Sequence, residues 1–104
     1  MKNNDKFTAM LGFAVRAGAL VYGLDNLKKA RRIKLLAVSD SASDNLFDGM
    51  KLLAERLKTT LVRVVELEAL VGKNCKALGI TDENMAKAMA EYTAGSNDRY
   101  TILP

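Results

Sequence analysis

Helical and strand patterns alternate along this chain, and that alternation restricts the possible folds more than any other feature of the sequence. Phe7, Leu11 and Ala14 are spaced to share one face of a first helix, whereas the β-branched and apolar segment 60–65 is typical of a central strand. Patterns of both kinds follow one another in the order α-β-α-β-α-β-α-β-α. This order predicts an α/β fold, a three-layer α-β-α sandwich around a four-stranded mixed sheet. The predicted strands cover residues 20–22, 34–38, 60–65 and 77–80.

Length and composition favour a single domain. The chain has 104 residues, 49% of them hydrophobic, and two domains of about 50 residues would each have too small a core. We therefore expect one domain over residues 1–104, with its core at about 5–95 and a tail at 96–104 in which segment 101–103 could add a strand.

No apolar stretch approaches the roughly 18 residues of a membrane helix. The polar start is unlike a secretory signal, so a cytoplasmic protein without membrane contact is expected.

The residue types that are missing argue against an enzyme. The chain has no histidine, which removes the usual general base and zinc ligand, and it has one cysteine, which cannot form an internal disulfide. Lys73 and Lys76 flank Cys75 and could activate it as a nucleophile, but an incidental thiol is the favoured interpretation. The cluster at residues 39–43 is interpreted as turn and capping chemistry. We expect no catalytic residues, no metal site and no cofactor.

Positive charge is concentrated in one short segment. Sixteen basic and twelve acidic residues give a formal net charge of +4. Five of the cations fall within seven positions and form what we call the basic run: Lys28, Lys29, Arg31, Arg32 and Lys34. A solvated helix face normally mixes both signs of charge. The run therefore favours contact with a polyanion over an ordinary soluble surface.

A predicted strand–glycine–helix junction lies just before the basic run. Gly23 allows a sharp turn and the close approach of another backbone, and a helix over 24–31 is predicted to follow it. Asp25 and Asn26 fall in its first turn. Asn offers a donor and an acceptor to a base edge, whereas a carboxylate only accepts. Asp25 alone could be an ordinary helix-start residue, but beside the basic run the pair predicts a nucleic-acid site.

Four segments, in this order, resemble a ribosomal-protein superfamily whose archetype is the archaeal large-subunit protein "seven-Ae", with eukaryotic "L-thirty" relatives and short bacterial homologues. The segments are Arg-Ala-Gly-Ala-Leu-Val-Tyr-Gly at 16–23, Val-Ser-Asp-Ser-Ala-Ser at 38–43, Val-Gly-Lys at 71–73 and Gly-Ile-Thr-Asp at 79–82. The resemblance extends from residue 6 to about residue 92. It implies an α-β-α sandwich and binding to kink-turn RNA, a sharply bent internal loop flanked by sheared G·A pairs.

The resemblance also implies which residues would contact RNA. The family signature, Gly-x-Asn-Glu-x-x-Lys, is matched at Gly23 and Lys29, while Asp25 and Asn26 carry acid and amide in the exchanged order. These four residues would approach the kinked backbone and the G·A pairs. The residues expected to hold phosphates are Lys28, Arg31, Arg32 and Lys73. An apolar loop of the family maps to Val65, Glu66 and Leu67, which would cover an extruded base.

Two classes of function stay open at this stage, beside a third, a small enzyme with a lysine or cysteine centre, which the lack of histidine disfavours. The first is a non-enzymatic RNA-binding protein of ribosomal type, with structured RNA and other ribosomal or ribonucleoprotein components as partners. The second is a protein-interaction module on the same fold without specific RNA binding. The basic run favours the first class.

Overall fold

Helices and strands alternate through the computed structural model, which describes residues 6–93 and 100–103. The helices within these residues are α1 (Lys6–Ala17), α2 (Leu24–Lys29), α3 (Asp44–Leu57), α4 (Leu67–Val71) and α5 (Glu83–Tyr92). The strands are β1 (Leu20–Tyr22), β2 (Leu35–Ser39), β3 (Leu61–Val64), β4 (Ala77–Ile80) and β5 (Tyr100–Leu103). Among the helices described, none has the length and apolar character needed to cross a membrane.

The strands form one mixed sheet in the order β1-β4-β2-β3-β5. β2 and β3 are parallel, and the other neighbouring pairs are antiparallel. All four predicted strands are present, which confirms the mixed α/β sheet. β5 adds a fifth strand at the edge of β3, within the segment predicted as a tail. The predicted boundary between core and tail, at residues 95 and 96, lies outside the described residues.

Helices cover both faces of the sheet, because the side chains of β2 alternate between two apolar clusters. Leu35 and Ala37 join a cluster with α1, α4 and α5, whereas Leu36 and Val38 join a cluster with α2 and α3. Every residue of β2 is buried. Burial on both faces is typical of a strand covered by helices on each side, and the predicted three-layer sandwich is confirmed.

The second helix is shorter than predicted. It ends at Lys29, and Ala30 has extended backbone angles, φ −76° and ψ 150°. The chain leaves the helix here because Ile33 is buried and the Lys34 N–H donates to the Ile80 carbonyl at 2.8 Å. Arg31, which was predicted to end the helix, therefore lies with Arg32 in the loop between α2 and β2.

The strand directions give the sheet two distinct ends. At the carboxyl end, β1, β2 and β3 finish and β4 begins, since Tyr22 pairs with Leu78 and Val38 pairs with Ala77. At the amino end, β1, β2 and β3 begin and β4 finishes at Ile80. The predicted contact residues divide between these two ends.

Candidate nucleic-acid interface

The β1–α2 turn stands at the carboxyl end of the sheet. The Gly23 N–H donates to the Ala77 carbonyl at 2.9 Å, which fixes the turn against the first residue of β4. Gly23 has φ +87° and ψ 144°, a region that residues with a Cβ rarely adopt. Apart from Gly23 itself and its two chain neighbours, no heavy atom lies within 4 Å of the position that a Cβ would occupy. The turn therefore needs glycine for its backbone angles and leaves open space in front of them.

Asp25 and Asn26 are both exposed in the first turn of α2, but they are not equally free. The Asn26 Nδ2 donates to the Tyr22 carbonyl at 2.9 Å, so the amide helps to close the β1–α2 turn. No side chain caps the start of α2. A carboxylate at position 26 has no proton to donate to that carbonyl. The bond to Tyr22 therefore explains why the amide stands at position 26 and the acid at position 25. Of the two side chains, Asp25 is the one left free to accept from a ligand.

Lys73, which follows α4, is brought to the same turn. Its Nζ lies 4.5 Å from the centroid of the Tyr22 ring, within the range of a cation–π contact. Burial, and to a smaller extent the electrostatic interaction with Cys75, raises the pKa of Tyr22 above its ordinary value of 10.0. The Cys75 thiol donates to the Ala77 carbonyl at 2.8 Å, which supports its interpretation as an incidental, half-buried thiol. Lys73 thus places an exposed ammonium group beside the β1–α2 turn.

The β3–α4 turn lies at the same end of the sheet, but only part of it faces outward. Val65 is half-buried and Glu66 is exposed, with Glu66 in the left-handed region at φ 54°. Leu67 is fully buried in the core, because it opens α4 and faces the sheet. The expectation that Leu67 helps to cover a base therefore fails in this conformation, and Val65 is the apolar side chain left at the surface of the turn.

A polar cluster that the sequence patterns did not predict lies beside the β3–α4 turn. Ser39, the last residue of β2, is fully buried, and its hydroxyl donates to Glu68 at 2.6 Å. The Ser41 hydroxyl donates to the second carboxylate oxygen of Glu68, also at 2.6 Å. These hydrogen bonds, first from Ser39 and then from Ser41, lower the pKa of Glu68 to about 2. The capping interpretation is right for Ser43, which accepts from the Leu46 N–H, and incomplete for Ser39 and Ser41.

Asp40 extends this cluster to the backbone of the β3–α4 turn. Its Oδ1 accepts from the Glu66 N–H at 3.0 Å, and its own N–H donates to the Val64 carbonyl at 3.1 Å. The bonds hold Glu66 in a backbone conformation that is uncommon for a residue other than glycine. Backbone strain of this kind collects at functional sites. Asp40 therefore preorganises the surface that Val65 and Glu66 present.

The basic run leads away from this end of the sheet. All five of its side chains are exposed. Lys28 and Lys29 occupy the last turn of α2, and the backbone bond from Lys34 to Ile80 fixes the far end of the run at the amino end of the sheet. The structure therefore does not bring Arg31 and Arg32 together with Gly23 and Asp25.

Comparison with known proteins identifies a similar fold but no function. No family model matches the chain, and a search of curated proteins also finds no match. Among solved structures, the chain is similar to a protein with unknown function from Bacillus halodurans C, with a TM-score of 0.75 and 20% sequence identity. The similarity covers 86% of this chain and 98% of the other. At this identity the match shows a shared fold.

Proposed function

We propose that this protein is a non-enzymatic RNA-binding protein of ribosomal or RNA–protein assembly type that recognises a kink-turn or a related bent RNA. One observation carries the proposal. Three segments that are distant in sequence lie at the carboxyl end of the sheet: the β1–α2 turn at Gly23, Lys73 against Tyr22 of that turn, and the β3–α4 turn at 65–66, which is three strand spacings, or roughly 14 Å, from β1. Bends and loops are the features by which proteins commonly recognise structured RNA.

Each group at this end has a role that suits a bent RNA. The open space at Gly23 admits a close sugar–phosphate backbone. Asp25 accepts from the amino or imino group of a guanine, and Asn26 keeps an amide oxygen and one N–H for a base edge. Lys29 and Lys73 supply charge for nearby phosphates. Val65 offers an apolar surface to an extruded base.

A protein-interaction module without specific RNA binding is the second candidate function. Two observations favour it over base-specific recognition. Leu67 is buried and so is withdrawn from the surface, and Asn26 already uses one amide proton for the Tyr22 carbonyl. Both observations reduce the number of groups left to read bases.

A binding titration separates the two candidates. The protein is titrated with a kink-turn RNA and with a straight duplex of equal length and charge, at the same ionic strength. We expect the kink-turn to bind at least tenfold more tightly, because a bent RNA offers splayed bases to Asp25 and Val65, whereas the bases of a straight duplex stay stacked and paired. Equal and weak binding to both RNAs would contradict specific recognition and favour the protein-interaction module.

A further inference from the structure

The helices α2 and α3 both point toward the amino end of the sheet. Each follows a strand that finishes at the carboxyl end, β1 for α2 and β2 for α3. Both helices pack against the same face of the sheet. Their last residues and the loops that follow them are therefore neighbours at the amino end.

Two hydrogen bonds fix this neighbourhood. The Arg56 Nη2, near the end of α3, donates to the Lys28 carbonyl at 3.4 Å. The Thr59 hydroxyl donates to the Lys34 carbonyl at 2.9 Å, which places the α3–β3 loop, including Lys58, beside the end of the basic run. Arg56 and Lys58 therefore extend the basic run across a second segment of the chain.

The combined surface is strongly and almost uniformly positive. We call it the amino-end basic surface, and it consists of Arg31, Arg32, Lys34, Arg56 and Lys58. All five side chains are exposed. Within the segments 26–36 and 52–62 there is one acidic residue, Glu55. None of the five side chains forms an ion pair within the described part of the chain, although Glu83 of α5 lines a surface pocket with Lys34.

We propose that the amino-end basic surface binds the phosphate backbone of the RNA stem that leads away from the bend held at the carboxyl end. The proposal rests on the proposed function and adds a second contact to it. Gly23 and Lys34 are bonded to the first and last residues of β4, and a strand of four residues separates its ends by about 10 Å. A stem that continues past the bend therefore runs from one site to the other.

The composition of the surface favours phosphate over an acidic protein. Three of its five residues are arginines, whose planar guanidinium groups bind phosphate oxygens in a bidentate manner. The surface is built from long, flexible cations with one exposed apolar side chain at its border, Leu52, which lines a pocket with Arg56. Protein interfaces instead concentrate several aromatic and apolar side chains at their centre. An acidic peptide is accordingly the competing occupant that the experiment must exclude.

The test combines a charge-matched pair of variants with two RNAs. The variant Arg56→Ala with Lys58→Ala removes two charges from the amino-end basic surface. The control, Lys6→Ala with Arg16→Ala, removes two exposed charges from α1, on the opposite face of the sheet. Each protein is titrated over a range of salt with a bent RNA that has a long stem and with the same RNA after its stem is trimmed to the bend.

We expect the Arg56/Lys58 variant to lower the slope of log K against log salt by about 1 to 2 on the long-stem RNA, since each lost phosphate contact removes roughly 0.7 to 0.9. On the trimmed RNA it should bind like the wild-type protein. The control variant should show the same slope of log K against log salt as the wild type on both RNAs. An equal loss on both RNAs, no loss on either, or tighter binding to an acidic peptide than to the long stem would overturn the proposal.

Two further measurements keep the result interpretable. Arg56 also bonds to the Lys28 backbone, so Arg32→Ala with Lys58→Ala serves as a second variant that leaves that bond intact and should show the same change in slope. A straight duplex separates this proposal from the proposed function. If the wild type binds bent and straight RNA equally while both variants lose slope on the duplex, recognition of the bend fails and the phosphate-binding surface stands.

Discussion

At the scale of single residues, the molecule departs from the motif it resembles for a reason that lies in its own backbone. Asn26 donates to the Tyr22 carbonyl and closes the β1–α2 turn, which a carboxylate at that position cannot do. The side chain of Asp25, one residue earlier, forms no hydrogen bond or ion pair with the described residues. The exchanged order thus assigns turn closure to Asn26 and leaves Asp25 as an acceptor for a ligand.

Restoring the order found in the family tests this assignment. The double change Asp25→Asn with Asn26→Glu is expected to tighten binding to a standard kink-turn by about tenfold to a hundredfold. The amide at position 25 would donate to base acceptors that Asp25 leaves unmatched in a standard kink-turn, at about 1–3 kcal/mol, while the carboxylate at position 26 would take over the accepting role. The double change should also lower the free energy of unfolding by about 1 kcal/mol, since the Tyr22 carbonyl loses its partner. Binding to a straight duplex should change little, as the total charge is unaltered.

The single change Asn26→Ala is the control for that experiment. It removes the bond to Tyr22 without adding a carboxylate, so it should reproduce the loss of stability without the gain in kink-turn affinity. If the double variant binds kink-turns no more tightly than the wild type, Asp25 and Asn26 do not face the bases.

Gly23 gives a second prediction at this scale. Gly23→Ala is expected to lower the free energy of unfolding by about 1–3 kcal/mol, because its backbone angles are nearly exclusive to glycine. Gly18→Ala is the matched control, since Gly18 also has positive φ, +69°, and open space at its Cβ position, but lies at the other end of β1. At a temperature at which both variants are still folded, the affinity for RNA should fall for Gly23→Ala and stay unchanged for Gly18→Ala. Equal losses of affinity would assign Gly23 a purely conformational role.

At the scale of elements, the conformation of the β3–α4 turn depends on Asp40. Asp40→Ala removes the acceptor for the Glu66 N–H and is expected to reduce the preference for kink-turn over duplex by about tenfold, as Val65 loses its fixed position. Asp40→Asn keeps an acceptor oxygen and should preserve most of that preference. The ratio of the two dissociation constants is the measurement, and a parallel loss in both variants would indicate that the carboxylate charge matters instead of the turn.

The Glu68 cluster predicts how stability depends on pH. The pKa of Glu68 is lowered from 4.5 to about 2 in the folded protein, so the folded state favours the ionised carboxylate. Its contribution to stability is complete above about pH 4.5 and is lost as the pH falls toward 2. Glu68→Gln should therefore flatten this part of the curve of unfolding free energy against pH. Glu91→Gln, at an exposed position of α5, should leave the curve unchanged.

The elements themselves were largely predictable, while the contacts between them were not. Periodic apolar positions such as Phe7 and Leu11 identify α1, and the β-branched segment 60–65 identifies β3, because these patterns reflect local geometry. The predicted end of α2 was wrong, because the burial of Ile33 and the hydrogen bond from Lys34 to Ile80 override helix propensity. The Ser39–Glu68 bond joins residues 29 apart and forms only when parallel pairing brings the ends of β2 and β3 together.

At the scale of the whole molecule, the sheet separates two surfaces that the sequence places side by side. Gly23 and Arg31 are eight positions apart, yet α2 carries the chain from the carboxyl end of the sheet to the amino end. Charge counting predicted a single polyanion site, because it takes no account of strand direction. The structure instead gives a turn-built surface at one end and a basic surface at the other.

The most direct test of the central claim, that the carboxyl end of the sheet holds the bent RNA, is a map of backbone amide chemical shifts on adding a kink-turn RNA. We expect the largest changes at Gly23, Asn26, Glu66 and Lys73, with α1 and α5 nearly unaffected. A straight duplex should leave those four amides close to their free positions and shift the residues of the amino-end basic surface. Changes confined to α1 and α5, or identical changes with both RNAs, would contradict the claim.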